Sequence, residues 1–249
     1  MPIAKTRPAP GGVESTYAWV RLAISVLLGA VGGVGFWSVV VVLPAVQAEF
    51  GVDRGTASIP YTAAMVGFAA GGVLMGRLSD RFGIVVPVAV GAVAIAVGYV
   101  GSSLASSLWQ FALFHGVFIG LLGSSAVFGP LIADISHWFN RRRGIAVGIC
   151  ASGNYVAGTI WPSVIQALVT DHGWRFAHMV VGIACVLLML PLAFLLRRRP
   201  PPQRLGATAG TGGGPRPVAL SPNRLQLLLA FAGIACCIAM SMPQVHIVA

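Results

Sequence analysis

Long apolar stretches alternate with short polar segments along most of the chain. Seven of these stretches reach about 20 residues, the length that an α-helix needs to cross the hydrocarbon core of a bilayer. The pattern predicts seven membrane-spanning helices, over residues 21–46, 57–76, 84–103, 108–132, 144–169, 177–196 and 225–246. The first stretch is too long for the apolar region of a cleaved signal peptide, so we expect it to be retained as a helix.

The composition supports a membrane protein. Of the 249 residues, 57% are hydrophobic and only 9% are charged, whereas a soluble domain carries roughly 25% charged residues. A soluble enzyme, a disordered tail and a secreted disulfide scaffold are therefore excluded. The four cysteines lie inside apolar stretches without the spacing of zinc ligands, so we expect neither a metal nor a cofactor.

The basic residues follow membrane topology. The chain carries 16 lysines and arginines against 6 acidic residues, a balance that in a soluble protein suggests nucleic acid as the partner. With a cytoplasmic amino terminus, every basic residue except Arg54 and Arg175 lies in a cytoplasmic segment, as the positive-inside rule requires. We therefore expect a multi-pass protein of the plasma membrane, specifically a bacterial inner membrane. Its expected partners are the lipid bilayer and a small-molecule substrate, not nucleic acid.

The connecting segments divide the chain into four parts. Residues 1–20 are predicted to form a cytoplasmic tail, and residues 21–196 a unit of six helices. Residues 197–224 begin with three arginines, are rich in Pro and Gly, and are predicted to form a cytoplasmic linker. Residues 225–249 hold the predicted seventh helix. No polar tail follows this helix, so we expect a truncated chain.

The segment between the second and third predicted helices carries a specific motif. Its sequence, Gly-Arg-Leu-Ser-Asp-Arg-Phe-Gly, resembles the loop signature G-x-L-x-D-R-x-G that the major facilitator superfamily carries after its second helix. The resemblance implies an all-α integral membrane fold, the six-helix N-terminal bundle of that family. Such a bundle is a 3+3 inverted repeat, here followed by a seventh helix, with the C-terminal half missing. The matching residues are Gly76, Leu78, Asp80, Arg81 and Gly83.

In the family this motif acts as a conformational latch that holds the two halves together when the transporter is open to the outside. Gly76 lets helix ends approach closely, and Asp80 can meet the positive end of a helix. The basic residue that usually follows the last glycine is replaced here by Ile84. We therefore expect Asp134, near the inner end of the fourth helix, to pair with Arg81.

A second set of residues narrows the resemblance to one branch of the family. The stretch from Trp138 to Gly153, together with Gly-Trp-Arg at 173–175, is similar to the monocarboxylate-porter and oxalate–formate-exchanger branch. This implies a secondary active transporter that moves a small solute, an organic anion such as a monocarboxylate, by alternating access. Drug–proton antiporters carry an arginine where this chain has Gly116 and a Gly-Pro pair where it has Gly158 and Thr159, and both absences disfavour drug efflux.

The resemblance places the first and fourth helices around the substrate cavity. Ionisable groups are costly inside a membrane and therefore mark functional positions. His115 is the exception in predicted helices that otherwise hold almost no such group, and its ordinary pKa near 6.5 suits a coupling proton. Trp37 lies at a similar depth in the first helix. Further cavity candidates are Tyr61, Asn154 and Tyr155.

Glycines four residues apart form the last pattern with a functional interpretation. Such pairs let two helices pack closely in lipid. In the family the second and fifth helices face the other half, so we expect Gly67 and Gly71, with Gly144 and Gly148, to pack between the halves. The cavity lies between the halves, and we expect this chain to need a C-terminal half or a second copy to complete it.

Two other interpretations stay open. The chain is a truncated remnant without transport activity, or it is an efflux member of the same superfamily that carries drugs or metabolites. An intramembrane serine protease is a third class with six or seven helices, and it needs the signature G-x-S-G. Cys150 stands where the first glycine of that signature is required, so we do not expect an enzyme.

Overall fold

The computed structural model describes residues 13–198, 221, 224–228, 230–232 and 235. The chain divides into two compact units, Met1–Pro201 and Pro202–Ala249. In the second unit the described residues from 224 onward are helical. Most of the predicted tail, most of the linker and most of the predicted seventh helix, 225–246, lie outside the described residues.

Six long helical elements make up the described part of the first unit. They are the first helix, Thr16–Phe50, the second, Arg54–Phe82, the third, Val85–Ser103, the fourth, Leu108–Trp138, the fifth, Arg143–His172, and the sixth, Trp174–Leu195. All but the fifth are long and apolar enough to cross a membrane. The fifth has 30 residues, but polar residues such as Asn154 lower its hydropathy. Residues 13–198 contain no strand, so the predicted all-α membrane fold is confirmed.

Polar caps set the starts of several helices. The first helix begins before the predicted residue 21, because Ser15 Oγ accepts a hydrogen bond from the main-chain N–H of Ala18 at 3.4 Å. Asp53 caps the start of the second in the same way, accepting from the N–H groups of Gly55 and Thr56. The hydroxyl and the main-chain N–H of Thr56 both donate to Asp53 and lower the pKa of its carboxyl group below the ordinary value.

The same tight junction occurs twice in the bundle. Gly83 joins the second helix to the third with φ of 83° and ψ of 169°. Gly173 joins the fifth helix to the sixth with φ of 83° and ψ of 163°. This backbone conformation has positive φ, which glycine adopts without a steric penalty. The second and third helices thus correspond to the fifth and sixth, as expected for two three-helix repeats.

The fourth helix changes its winding in the middle. It is α-helical over Leu108–Leu113, a π-helix over Phe114–Gly123 and a 3₁₀-helix over Ser124–Val127, and it resumes as an α-helix at Gly129–Trp138. Pro130 lacks an N–H group, and its ring clashes with the carbonyl group four residues earlier. The regular helix therefore breaks immediately before this proline.

The end of the bundle that we predict to face outside carries an ion pair. Glu49, at the end of the first helix, accepts from Arg175 NH2 at 2.7 Å and from Arg175 Nε at 3.1 Å, and Trp174 Nε1 also donates to it. Arg175 also donates to the main-chain oxygens of Ser103, at 2.6 Å, and Ala105, at 2.8 Å. These contacts join the first and sixth helices to the end of the third.

The predicted topology gives a direct labelling test. In a variant without native cysteines, Arg142→Cys is expected to react with a membrane-impermeant maleimide only from the cytoplasmic side, and Asp171→Cys only from outside. Both positions are exposed at opposite ends of the fifth helix, and the positive-inside rule assigns the arginine end to the cytoplasm. Labelling of both positions from one side would contradict this topology.

Candidate functional site

The latch motif lies in the last turns of the second helix. This helix runs to Phe82, and the N–H of Gly83 donates to the oxygen of Ser79 at 2.8 Å to close it. Asp80 is exposed, and Arg81 is exposed with its guanidinium 5.2 Å from the centre of the Phe82 ring. Asp80 stands at the carboxyl end, where the N–H groups already have partners, so it does not cap this helix. Its latch role stays a prediction.

The expected pairing of Asp134 with Arg81 is wrong. Asp134 binds Arg21 instead, with Oδ2 2.6 Å from Nε and Oδ1 2.9 Å from NH2. Two parallel hydrogen bonds of this kind make a strong and geometrically specific ion pair. The Arg21 side chain is only 1% exposed and that of Asp134 only 7%. This buried pair joins the first and fourth helices.

The other contacts of Arg21 extend this pair to the end of the sixth helix. NH1 donates to the hydroxyl of Tyr17 at 3.2 Å and to the main-chain oxygens of Leu196 and Arg198, both at 3.1 Å. The guanidinium carbon lies 4.8 Å from the centre of the Trp138 ring, within the range of a cation–π contact. One buried cation therefore joins three helices at the end that we predict to be cytoplasmic.

His115 is fully buried among the third, fourth and sixth helices. Its Nδ1–H donates to the oxygen of Phe111 at 2.9 Å, and its ring centre is 5.6 Å from that of His178. The Ser102 hydroxyl donates to the oxygen of Tyr99 at 2.9 Å and accepts from His178 Nδ1 at 2.8 Å. Both histidine rings lie inside the bundle, no third metal ligand joins them within the described residues, and the coupling role of His115 stays a prediction.

The other four cavity candidates are not gathered in one place. The ring of Trp37 packs against Gly158, where a Cβ would lie 2.5 Å from ring atom Cζ2. Tyr61 is half-buried in the second helix, and Tyr155 is 56% exposed in the fifth. Asn154 alone among the predicted cavity residues lines a recess between the first, fourth and fifth helices.

That recess is the candidate substrate site. It is narrow, with a cavity volume of about 10 Å³, the space of about one water molecule. Its walls carry no charged side chain, and besides apolar groups they present the hydroxyl of Ser124, the thiol of Cys150 and the amide of Asn154. The lining residues are Gly29, Gly33, Phe36, Ser124, Val127, Phe128, Ile132, Cys150 and Asn154.

The break in the fourth helix forms one wall of the recess. Ser124, Val127 and Phe128 all belong to the irregular segment before Pro130. The Ser124 hydroxyl donates to the oxygen of Gly32 at 3.3 Å, which fixes the segment against the first helix. Backbone that leaves the α-helix at membrane depth is tolerated where it is buried in protein or lines a cavity. Broken helices of this kind surround the substrate in many transporters.

Three phenylalanines line or support the recess, and the sequence analysis did not find them. Phe36 and Phe68 contact each other edge to face with ring centres 4.8 Å apart, and Phe68 lies 6.1 Å from Phe128. Hydropathy does not distinguish a phenylalanine from the other apolar residues of a membrane helix, so it gives no reason to choose these three. The pair Gly129-Pro130 was the usable signal, because a proline inside a predicted helix marks a break.

The glycines of the second helix divide between two faces. A Cβ on Gly67 would overlap the main-chain oxygen of Gly116, and one on Gly71 would overlap that of Leu121. Both glycines therefore pack against the fourth helix of the same bundle, and the expectation that they pack between two halves is wrong. Gly72, like Gly76, has no atom within 4 Å of an added Cβ.

The glycines of the fifth helix keep their predicted role. Gly144 and Gly148 are exposed, and no atom of the described residues lies within 4 Å of an added Cβ at either position. Small residues on an open helix face permit close packing of another helix. Packing against another half stays a prediction for these two glycines.

Comparison with known proteins agrees with this architecture. A family model described as Major Facilitator Superfamily matches residues 25–248. The MFS-type transporter pynF of Aspergillus niger is 31% identical over 53% of this chain and 30% of its own length. The Fujikurins efflux protein of Gibberella fujikuroi is 33% identical over 55% of this chain and 30% of its own length.

A human relative is also similar. Monocarboxylate transporter 11 is 36% identical over 46% of this chain and 26% of its own length. The MFS-type transporter eupM of a Phoma species is 30% identical, and the match spans 55% of its length. The chain thus spans between about a quarter and about half of the relatives that it matches. The family match, the helical bundle and the motif after the second helix show that this chain belongs to the major facilitator superfamily.

Proposed function

We propose that this protein is a secondary active transporter of small organic anions, in the first place monocarboxylates, and that it works by alternating access. The observation that carries this proposal is the broken fourth helix, whose irregular segment lies against the first helix in a bundle of the major facilitator superfamily. Similarity to Monocarboxylate transporter 11 supports the substrate class. We place the protein in the plasma membrane; its fungal and human relatives give no support for a bacterial inner membrane.

The ion pairs at the two ends of the bundle support this mechanism. Arg21 with Asp134 joins three helices at one end, and Glu49 with Arg175 joins three at the other. A bundle fastened in this way moves as one body, and alternating access is largely the rocking of one such bundle against another. A proton is the proposed coupling ion, and His115 is its candidate site despite its burial.

Uptake into proteoliposomes tests the proposal. The full chain is reconstituted and given labelled pyruvate with an inward proton gradient, beside protein-free liposomes under the same gradient. We expect faster and higher accumulation with protein, abolished by a protonophore, because downhill proton entry drives the anion inward. The protein-free liposomes correct for diffusion of the neutral acid. Equal uptake in the two preparations would contradict the proposed function.

Efflux of a larger metabolite is the second candidate. It is favoured by the similarity to the Fujikurins efflux protein, whose name states export. The same proteoliposomes separate the two candidates, because an exporter inserted in the opposite orientation accumulates its solute only when the proton gradient is reversed.

A further inference from the structure

Exposed arginines stand together at the end of the bundle that we predict to be cytoplasmic. Five of them, here called the basic edge, lie at the start of the fifth helix and just after the sixth: Arg141, Arg142, Arg143, Arg197 and Arg198. We propose that the basic edge binds the phosphate headgroup of an anionic phospholipid of the cytoplasmic leaflet. This inference goes beyond the proposed function and does not depend on which solute is carried.

The start of the first helix brings the two groups of arginines together. The main-chain N–H of Arg142 donates to Oε1 of Glu14 at 2.9 Å, and the N–H of Glu14 donates to the oxygen of Trp138, also at 2.9 Å. Three residues after Glu14, the ring centre of Tyr17 lies 4.7 Å from the guanidinium carbon of Arg198. Arg142 and Arg198 therefore flank the same short segment of the chain, and their charges add at one part of the surface.

The arginines of the basic edge have no carboxylate partner. All six acidic residues of the chain lie within residues 13–198, and none of them forms an ion pair with these five side chains. Glu14 contacts this edge, but it binds the main chain of Arg142 and not its guanidinium. Each guanidinium presents N–H donors in a planar fork that matches the oxygens of a phosphate group. The basic edge therefore has donors available for an anionic headgroup.

Aromatic side chains place the basic edge at the depth of the lipid headgroups. Trp19 is 37% exposed, and its ring meets that of Phe139 edge to face with centres 5.1 Å apart. Tyr17 is half-buried two residues earlier, against the guanidinium of Arg198. Tyrosine and tryptophan concentrate at the boundary between the hydrocarbon core and the headgroups. The arginines therefore lie where phospholipid phosphates lie, which favours a lipid over a soluble anion.

The opposite end of the described bundle lacks this excess of positive charge. It carries Arg54 and Arg175 against three carboxylates, those of Glu49, Asp53 and Asp171, and Arg175 is already paired with Glu49. The cytoplasmic leaflet holds the anionic lipids, and its negative surface attracts arginines that lie next to the membrane. The charge of the basic edge and the predicted orientation of the chain therefore favour the same partner.

Native mass spectrometry of the full chain in a nonionic detergent tests this inference. Phosphatidylglycerol and phosphatidylcholine with identical acyl chains are titrated, and we expect phosphatidylglycerol to bind at least about tenfold more tightly. Arg142→Gln and Arg198→Gln should each weaken phosphatidylglycerol about fivefold and change phosphatidylcholine by less than about twofold. Glu14→Gln keeps the oxygen that accepts from Arg142 but removes a negative charge, and it should strengthen phosphatidylglycerol about twofold.

Arg54→Gln is the matched control, because it removes one exposed arginine at the opposite end of the bundle. It should change the affinity for either lipid by less than about twofold. The soluble headgroup glycerophosphoglycerol lacks acyl chains and should not displace phosphatidylglycerol at the same concentration. Equal affinity for the two lipids, an Arg198→Gln effect no larger than that of Arg54→Gln, or displacement by the soluble headgroup would overturn the inference. Absence of pyruvate uptake with these lipid affinities intact contradicts only the proposed function.

Discussion

Asp134→Asn is expected to lower the free energy of unfolding of the bundle by about 3–5 kcal/mol, the usual cost of leaving one partner of a buried ion pair without the other. Arg21 is fully buried and cannot shed its charge or reach water. Its bonds to the oxygens of Leu196 and Arg198 remain but do not replace the carboxylate. Reversible unfolding in mixed micelles with increasing dodecyl sulfate measures the change.

Two controls separate the buried charge from a general loss of packing. The double variant Arg21→Met with Asp134→Leu removes both charges and is expected to recover most of the lost stability. Glu49→Gln weakens the outer pair, whose side chains are 39% and 40% exposed, and should cost less than about 1 kcal/mol. If Asp134→Asn cost no more than Glu49→Gln, the inner pair would not hold the bundle together.

Gly71→Ala is expected to have the second large effect. It should lower the free energy of unfolding by about 3 kcal/mol, at the upper end of the usual cost of overpacking. The added methyl group would overlap the oxygen of Leu121 and lie 2.6 Å from the hydroxyl of Ser125. The Leu121 oxygen belongs to the main chain and cannot rotate away, so the second and fourth helices must move apart. The same unfolding titration measures this loss.

Gly72→Ala is the matched control on the next residue of the same helix. No atom lies within 4 Å of an added Cβ there, so only the helix propensity changes. Alanine is favoured over glycine by about 1 kcal/mol inside a helix, and Gly72→Ala should be neutral or slightly stabilising. If both variants lost the same stability, close contact with the fourth helix would not be the cause.

Hydropathy predicted the helices well because the bilayer demands long apolar segments whatever their partners are. It ended the second helix at residue 76, whereas the structure extends this helix through the motif to Phe82. The face that each residue presents was harder to predict. Gly67 and Gly72 are both small and apolar, and only the packing shows that one meets the fourth helix and the other does not.

The wrong expectation that Asp134 pairs with Arg81 has a physical cause. Arg21 looked like an anchor at the membrane surface, and nothing in the sequence links it to a carboxylate 113 residues away. His115 lies in a π-helix, whose hydrogen bonds run between residues five apart. This change of winding leaves no signal in the hydropathy pattern, and the coupling role of His115 stays a prediction.

The first helix carries one partner of each ion pair, Arg21 near its start and Glu49 near its end. At about 1.5 Å per residue these anchors stand roughly 42 Å apart along the axis. An axial shift of this helix by one turn, about 5.4 Å, would break both ion pairs at once. An axial slide of the first helix alone therefore costs at least the buried pair with Asp134, so we expect this helix to move together with the fourth and sixth helices, to which it is paired.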